Sequence, residues 1–214
     1  MRMWSRSSSA LIAIRSVPEV TWSHETDTDL GLLTCTPLTP ERFGDLEAVF
    51  GDRGVTRSCF CMHWRRPDGG FGDERDNRDR FADVVSAGPP PGLIGYVDGS
   101  PVGWVQVGPR HEFPTLGRSR LLKPVDEVEP WTINCFVVRV GHRSQGIGKG
   151  LLEGALAYAA SQGATIIEAY PVDGERTSLV DYYTGTLGMF SEHGFTEVIR
   201  RNESRPIVRL SLTR

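Results

Sequence analysis

The sequence predicts a mixed α/β domain, a central mixed sheet of six to seven strands flanked by about four helices. A β-rich run over residues 131–140 passes through a glycine-rich segment into an amphipathic helix and then into a second β-rich run, 164–170. That order is the mark of two parallel strands joined by a crossover helix. Upstream, the runs 93–97 and 102–107 are joined by Asp98-Gly99-Ser100, and an Asp-Gly step between apolar runs signals an antiparallel hairpin. With 214 residues and 39% hydrophobic content, the chain can fill one core but leaves little room for a second domain.

Residues 1–31 stand apart, rich in serine and arginine with no acid before Glu19. They read as a disordered extension to a domain spanning 32–214. The apolar stretch at 10–14 is too short for the core of a secretory signal. Residues 32–37 form a short apolar strand. Thr39-Pro40 then open a helix over about 40–50, with Phe43, Leu46 and Phe50 on one face. Residues 51–72 are irregular and carry the run Ser58-Cys59-Phe60-Cys61-Met62-His63-Trp64-Arg65-Arg66. A second helix occupies 73–86, with Phe81, Val84 and Val85 inward, and Pro89-Pro90-Pro91 ends it. After the hairpin, residues 108–130 lack periodicity and read as a functional flap or loop. The crossover helix carries Leu151, Leu152, Ala155, Leu156 and Ala159 on one face and stops at Gly163. A short helix over 187–193 and strands at 195–201 and 207–212 complete the chain.

Composition excludes several classes of function. Net charge is −3, and of 24 basic residues only Lys123 and Lys149 are lysines, the arginines being scattered among balancing acids. A nucleic-acid footprint is therefore not expected. No apolar run approaches the roughly 18 residues of a membrane span. Four cysteines are too few for a disulfide scaffold in a chain this long and fit a reducing, cytoplasmic setting. Cys59, Cys61 and His63 are too crowded, and lack the second ligand pair, for a structural zinc site, so no metal is expected. Phe60, Met62 and Trp64 of the same run read as an apolar wall.

The strand-to-helix junction carries Arg143-Ser144-Gln145-Gly146-Ile147-Gly148-Lys149-Gly150. Glycines there let backbone amides face outward, and the helix N-terminus adds its positive end, so an anion such as pyrophosphate is the implied ligand. The spacing fits neither common nucleotide fingerprint. Five residues before Gly148-Lys149 stands Arg143, where a P-loop needs glycine, and Leu151 occupies the third glycine of a dinucleotide loop.

The Arg-x-x-Gly-x-Gly loop, together with Met189-Phe190-Ser191-Glu192-His193-Gly194-Phe195 about 40 residues on, resembles the GNAT superfamily of acetyl-CoA-dependent N-acetyltransferases. The likeness runs from about Leu32 to the C-terminus. It implies direct transfer of an acetyl group from acetyl-CoA to a primary amine of a small molecule or peptide, with a homodimer left open. By resemblance, Phe136 and Val138 flank the pantetheine arm, while Arg143, Gln145, Gly146, Ile147, Gly148, Lys149 and Gly150 hold the pyrophosphate. Members often carry a glutamate base on the fourth strand, but residues 131–140 contain no acid. Glu168, flanked by Ile166 and Ile167, is the best alternative base, set against a structural carboxylate or a water-mediated route. Phe190 stands where the family commonly has a tyrosine, so either no general acid acts or another hydroxyl, that of Tyr183 or its neighbour Tyr182, moves in. These two departures also leave open a non-catalytic acyl-CoA-binding module, or use of a different acyl group.

Overall fold

The computed structural model describes residues 22–175, 181 and 183–212. An eight-stranded sheet runs in the order β1-β2-β3-β4-β5-β6-β8-β7. Its strands are β1 (His24–Thr28), β2 (Gly31–Pro37), β3 (Gly92–Val97), β4 (Ser100–Pro109), β5 (Trp131–Val138), β6 (Ile166–Ala169), β7 (Thr196–Arg200) and β8 (Pro206–Ser211). The six helices among the described residues are α1 (Phe43–Phe50), α2 (Val55–Cys59), α3 (Glu74–Ala87), α4 (Pro114–Arg118), α5 (Ile147–Ser161) and α6 (Leu187–Glu192). The mixed α/β class stands, with one strand beyond the expected range and two extra single-turn helices, α2 and α4.

The boundary expected at residue 32 lies too late. β1 pairs antiparallel with β2, from His24↔Cys35 to Thr28↔Gly31. It is an edge strand of polar residues, partly buried on alternate positions, so it lacks the apolar alternation that marks a strand in sequence. Residues 1–21 lie outside the described residues.

Two cores sandwich the sheet. On one face, α5 packs Ile147, Leu151, Leu152 and Ala155 against Leu33, Val105 and Phe136. On the other, α1 and α3 bring Leu46, Phe50, Phe81 and Val85 onto Ile94, Trp104 and Val137. Asp73 caps α3 by accepting from the amides of Arg75 (3.0 Å) and Asp76 (3.2 Å). Thr39 makes no such bond, because Pro40–Arg42 form a 3-10 turn ahead of α1.

Close approach sets the seat of α5. A Cβ at Gly150 would lie 2.7 Å from Leu33 Cδ2, and one at Gly154 2.9 Å from Cys35 Sγ. From the sheet side, a Cβ at Gly103 would lie 2.8 Å from Leu151 Cδ1, and one at Gly95 3.0 Å from Leu151 Cδ2. Helix glycines thus receive sheet side chains while sheet glycines receive helix side chains.

The expected parallel crossover is present: β5 pairs with β6, but only over Trp131↔Ile167, Thr132↔Glu168 and Ile133↔Ala169. β5 continues to Val138 after β6 has diverged, so the two strands splay.

The segment 108–130 is a packed cap, not a flap. Phe113, Leu116 and Leu122 are buried with Trp64, Tyr170 and Ile207 in a third apolar cluster. The run at 58–66 is fixed by its arginines. Arg65 pairs with Glu112 at 2.9 Å and lies over the Phe113 ring, and Arg66 bridges Asp68 and Asp76.

Candidate functional site

The splay between β5 and β6 opens into a groove of about 660 Å³, within the roughly 300–1,000 Å³ range of small-molecule and cofactor sites. One wall is Phe136, Val137 and Val138 of β5, another the loop from His142 to Lys149, and the third Tyr183, Gly185, Thr186 and Met189. The backbone amide of Phe136, released from β6, donates to the carbonyl of Tyr183 at 2.6 Å. That bond ties the segment around Tyr183 to the splayed strand.

Gly146 precedes α5 in the left-handed conformation (φ 80°), and no side chain caps the helix. The amides of Lys149 and Gly150 return to the Gly146 carbonyl at 3.0 and 3.1 Å. The amides of Ile147 and Gly148, in the first turn, have no helical carbonyl within reach of their direction. They meet the groove together with the positive end of a 15-residue helix. Arg143 is anchored by donation from Nε to the Val138 carbonyl at 3.3 Å, and Lys149 pairs with Glu192 of α6. Arg143, Lys149 and His142 line the groove, and among the described residues no carboxylate does. These residues fit a polyphosphate: amides, two cations and a backbone turn free of Cβ.

Of the nine residues expected around the cofactor, Phe136, Val138, Arg143, Gly146, Ile147, Gly148 and Lys149 line this groove. Gln145 and Gly150 do not. The Gln145 amide group turns back to the Gly141 carbonyl at 3.2 Å. Gly150 is a packing glycine beneath Leu33, its importance lying in the missing side chain. Ile147 takes part through its backbone, since its side chain is buried in the α5 core.

A second, apolar cavity adjoins the groove, and Val137 and Tyr183 belong to both. Its walls come from α1, α2, the 59–71 segment and β5. Cys59, Cys61, His63 and Trp64 enter it from the run singled out in the sequence, with Cys135 and Val137 opposite. The expected apolar wall holds for Trp64, whereas Phe60 and Met62 turn into the α1–α3 core. The thiols are quiescent. Burial pushes Cys59 up to about 12. Cys135 is raised by its contact with Cys61, Sγ to Sγ 3.6 Å, and by burial. Among the described residues no cluster of His, Cys, Asp or Glu could hold a metal.

The expectation for Glu168 is corrected by its surroundings. Its carboxylate is fully buried and accepts from Arg110 Nε (3.3 Å), Arg209 Nε (2.8 Å) and the Tyr170 hydroxyl (2.6 Å). It lines neither cavity. A carboxylate so engaged is held as an acceptor on three sides, and its two arginine partners come from 41 and 58 residues away.

Tyr183 stands at the junction of the two cavities. Burial, then the neighbouring Cys135, raise its hydroxyl pKa, partly opposed by Arg143. Tyr182 lies outside the described residues. Phe190 is fully buried against Phe136 and Phe195, ring centroids 6.0 and 4.9 Å apart, and takes no part in the groove. His111 is exposed and paired with Glu129, away from both cavities.

One residue that sequence reasoning set aside belongs to the site. The His63 ring packs on Trp64 and Phe71, centroids 4.7 and 4.8 Å away, and its buried Nδ1 has no hydrogen-bond partner. Burial lowers its pKa against a smaller opposing effect of the Gly70 carbonyl. The only sequence signal was its place in the Cys-x-Cys-x-His run.

Comparison with known proteins agrees with this geometry. The acetyltransferase (GNAT) family profile matches residues 59–189, from the apolar cavity through the anion loop to α6. The chain belongs to the GNAT acetyltransferase family. Solved GNAT structures share the fold. The GNAT domain of S. lividans PAT is 15% identical with a TM-score of 0.55, the match covering 91% of this chain and 99% of that one. A GNAT-family acetyltransferase from Streptococcus agalactiae 2603 is 11% identical with a TM-score of 0.53, over 85% and 96% of the two chains. An N-acetyltransferase from Staphylococcus aureus Mu50 is 13% identical with a TM-score of 0.50, over 85% and 99%. No curated protein sequence matches this one. Among the described residues no helix is long and apolar enough to cross a membrane.

Proposed function

We propose that this GNAT acetyltransferase moves the acetyl group of acetyl-CoA directly to a primary amine of a small molecule or peptide. The observation that carries the reading is the continuity of the two cavities: a cationic, amide-lined groove meets an apolar pocket at Val137 and Tyr183. In this reading, the first-turn amides of α5 with Arg143 and Lys149 hold the pyrophosphate. Charge-assisted hydrogen bonds of this kind contribute about 1.5–3 kcal/mol each. The splayed edge of β5, around Phe136 and Val138, lies along the pantetheine arm and directs the thioester toward Tyr183.

Acetyl-CoA supplies an activated carbonyl with a thiolate leaving group. The acceptor nitrogen forms the new C–N bond as the C–S bond breaks; the nitrogen gives up a proton and the departing sulfur takes one. Tyr183, kept protonated by burial, donates to the sulfur. With Glu168 sequestered, His63 is the pocket side chain suited to accept the amine's proton, because burial lowers its pKa and its buried Nδ1 makes no hydrogen bond.

Calorimetric titration with acetyl-CoA, followed by thiol release across a panel of amines, tests the reading. Binding with amine-dependent release of free CoA is expected. Binding without release above hydrolysis would mean a non-catalytic acyl-CoA module, and absence of binding would remove the reading altogether.

A further inference from the structure

The apolar cavity has features that the general reaction does not require. Its interior measures about 30 Å³. One water needs about 10–15 Å³ by such a measure, whereas an engineered cavity that holds benzene is about 150 Å³. Among the described residues no carboxylate lines it. Its polar wall atoms are largely spent on the protein itself: the Thr56 hydroxyl donates to the Phe50 carbonyl at 2.9 Å, and Cys61 Sγ receives the Trp104 indole N–H at 3.1 Å. The titratable side chains facing it are Cys59, Cys61, Cys135, His63 and Tyr183. Burial disfavours the charged forms of Cys59, Cys135, His63 and Tyr183. Arg205, whose charge bears on His63, is itself paired with Asp181.

We infer that the cavity selects amines whose substituent is small and uncharged, one or two carbons long, and rejects aryl and polycationic acceptors. This deepens the acetyltransferase reading and rests on it. A polyamine or an aminosugar with several ammonium groups would leave a charge in a pocket that offers no counter-ion, a costly burial. An aryl group would have to displace Phe50, Trp64 or Phe71. Each buried methylene contributes about 0.8 kcal/mol, equivalent to about 4-fold in kcat/KM.

The test uses amino-acid amides that share the same α-amine. Glycinamide, alaninamide and 2-aminobutyramide are expected to rise by about 4-fold per carbon in kcat/KM. Phenylalaninamide and lysinamide are expected to fall at least about 10-fold below alaninamide. Two variants move the preference in set directions. Val55→Asp, at a half-buried wall position, is expected to shift the lysinamide-to-alaninamide ratio upward by about 10-fold or more. Cys59→Ala, which widens the wall, is expected to raise phenylalaninamide relative to alaninamide. Preference for lysinamide, spermidine or phenylalaninamide in the native enzyme overturns the inference, as do ratios unmoved in both variants or no turnover of any amide by protein that releases CoA with other amines. Failure to bind acetyl-CoA, or binding without CoA release from any amine, overturns the underlying reading instead, so the two failures are separable.

Discussion

Replacing Glu168 by glutamine keeps the side-chain volume and removes one negative charge from a site with no exposure. Arg209 retains Asp126, whose carboxylate it contacts at 2.7 and 3.1 Å. Among the described residues Arg110 has no second carboxylate partner. Its Nη2 keeps the Leu122 carbonyl at 2.6 Å, but its Nε loses the anion, and only 8% of its side chain is exposed. Breaking a buried ion pair from one side costs about 3–5 kcal/mol. The surviving Asp126 contact and the amide oxygen left for Tyr170 put Glu168→Gln near the lower end, about 3 kcal/mol. For a domain of this size each kcal/mol moves the midpoint by about 2–4 °C, so Tm is expected to fall by about 6–12 °C. Circular dichroism melts read the midpoint, and thiol release at a temperature well below it reads activity, which is expected to persist. A variant that melts like the parent but releases no CoA would refute the reasoning and restore Glu168 as a base.

Gly146→Asp places a carboxylate at the mouth of the α5 N-terminus, and acetyl-CoA affinity by calorimetry is expected to weaken at least about 10-fold, while the left-handed φ at this position costs about 1 kcal/mol and lowers the melting midpoint by about 2–4 °C. Tyr183→Phe is expected to lower kcat by about 100-fold while leaving acetyl-CoA affinity intact. Because the Tyr183 pKa is raised, its loss should also remove an alkaline limb of the kcat profile above the ordinary phenol value of 10.0. His63 must be neutral to accept a proton, and its pKa lies below the ordinary 6.5, so activity should fall as pH drops below that value. His63→Gln is expected to abolish this acid limb and lower kcat at least about 10-fold; an unchanged pH–rate profile would exclude the role.

The legible parts of the fold were those governed by short-range periodicity. The α5 face, the Asp98-Gly99 turn and the Arg143–Gly150 loop each announce themselves within a dozen residues. β1 escaped because an edge strand paired on one side can be polar throughout, and α2 and α4 because five residues are too few to show a helical period. At the site, the anion loop was readable since its chemistry is local backbone. The apolar cavity was not, because Phe50, His63, Cys135 and Tyr183 meet only after folding. Glu168 shows the opposite error. Flanking isoleucines suggested a desolvated carboxylate awaiting a proton, while the arginines that claim it arrive from distant strands and loops.

The interlocked glycines beneath α5 carry a consequence for tolerance. Where bulky side chains separate two elements, a substitution on one can be offset by trimming the other. At Gly95, Gly103, Gly150 and Gly154 the glycine side has nothing left to trim. The distance from sheet to helix is therefore a property of backbone against side chain, held at both ends of the first two turns of α5. The amides that face the groove inherit that distance, so a methyl group added on the far side of the helix would displace an anion site it never touches.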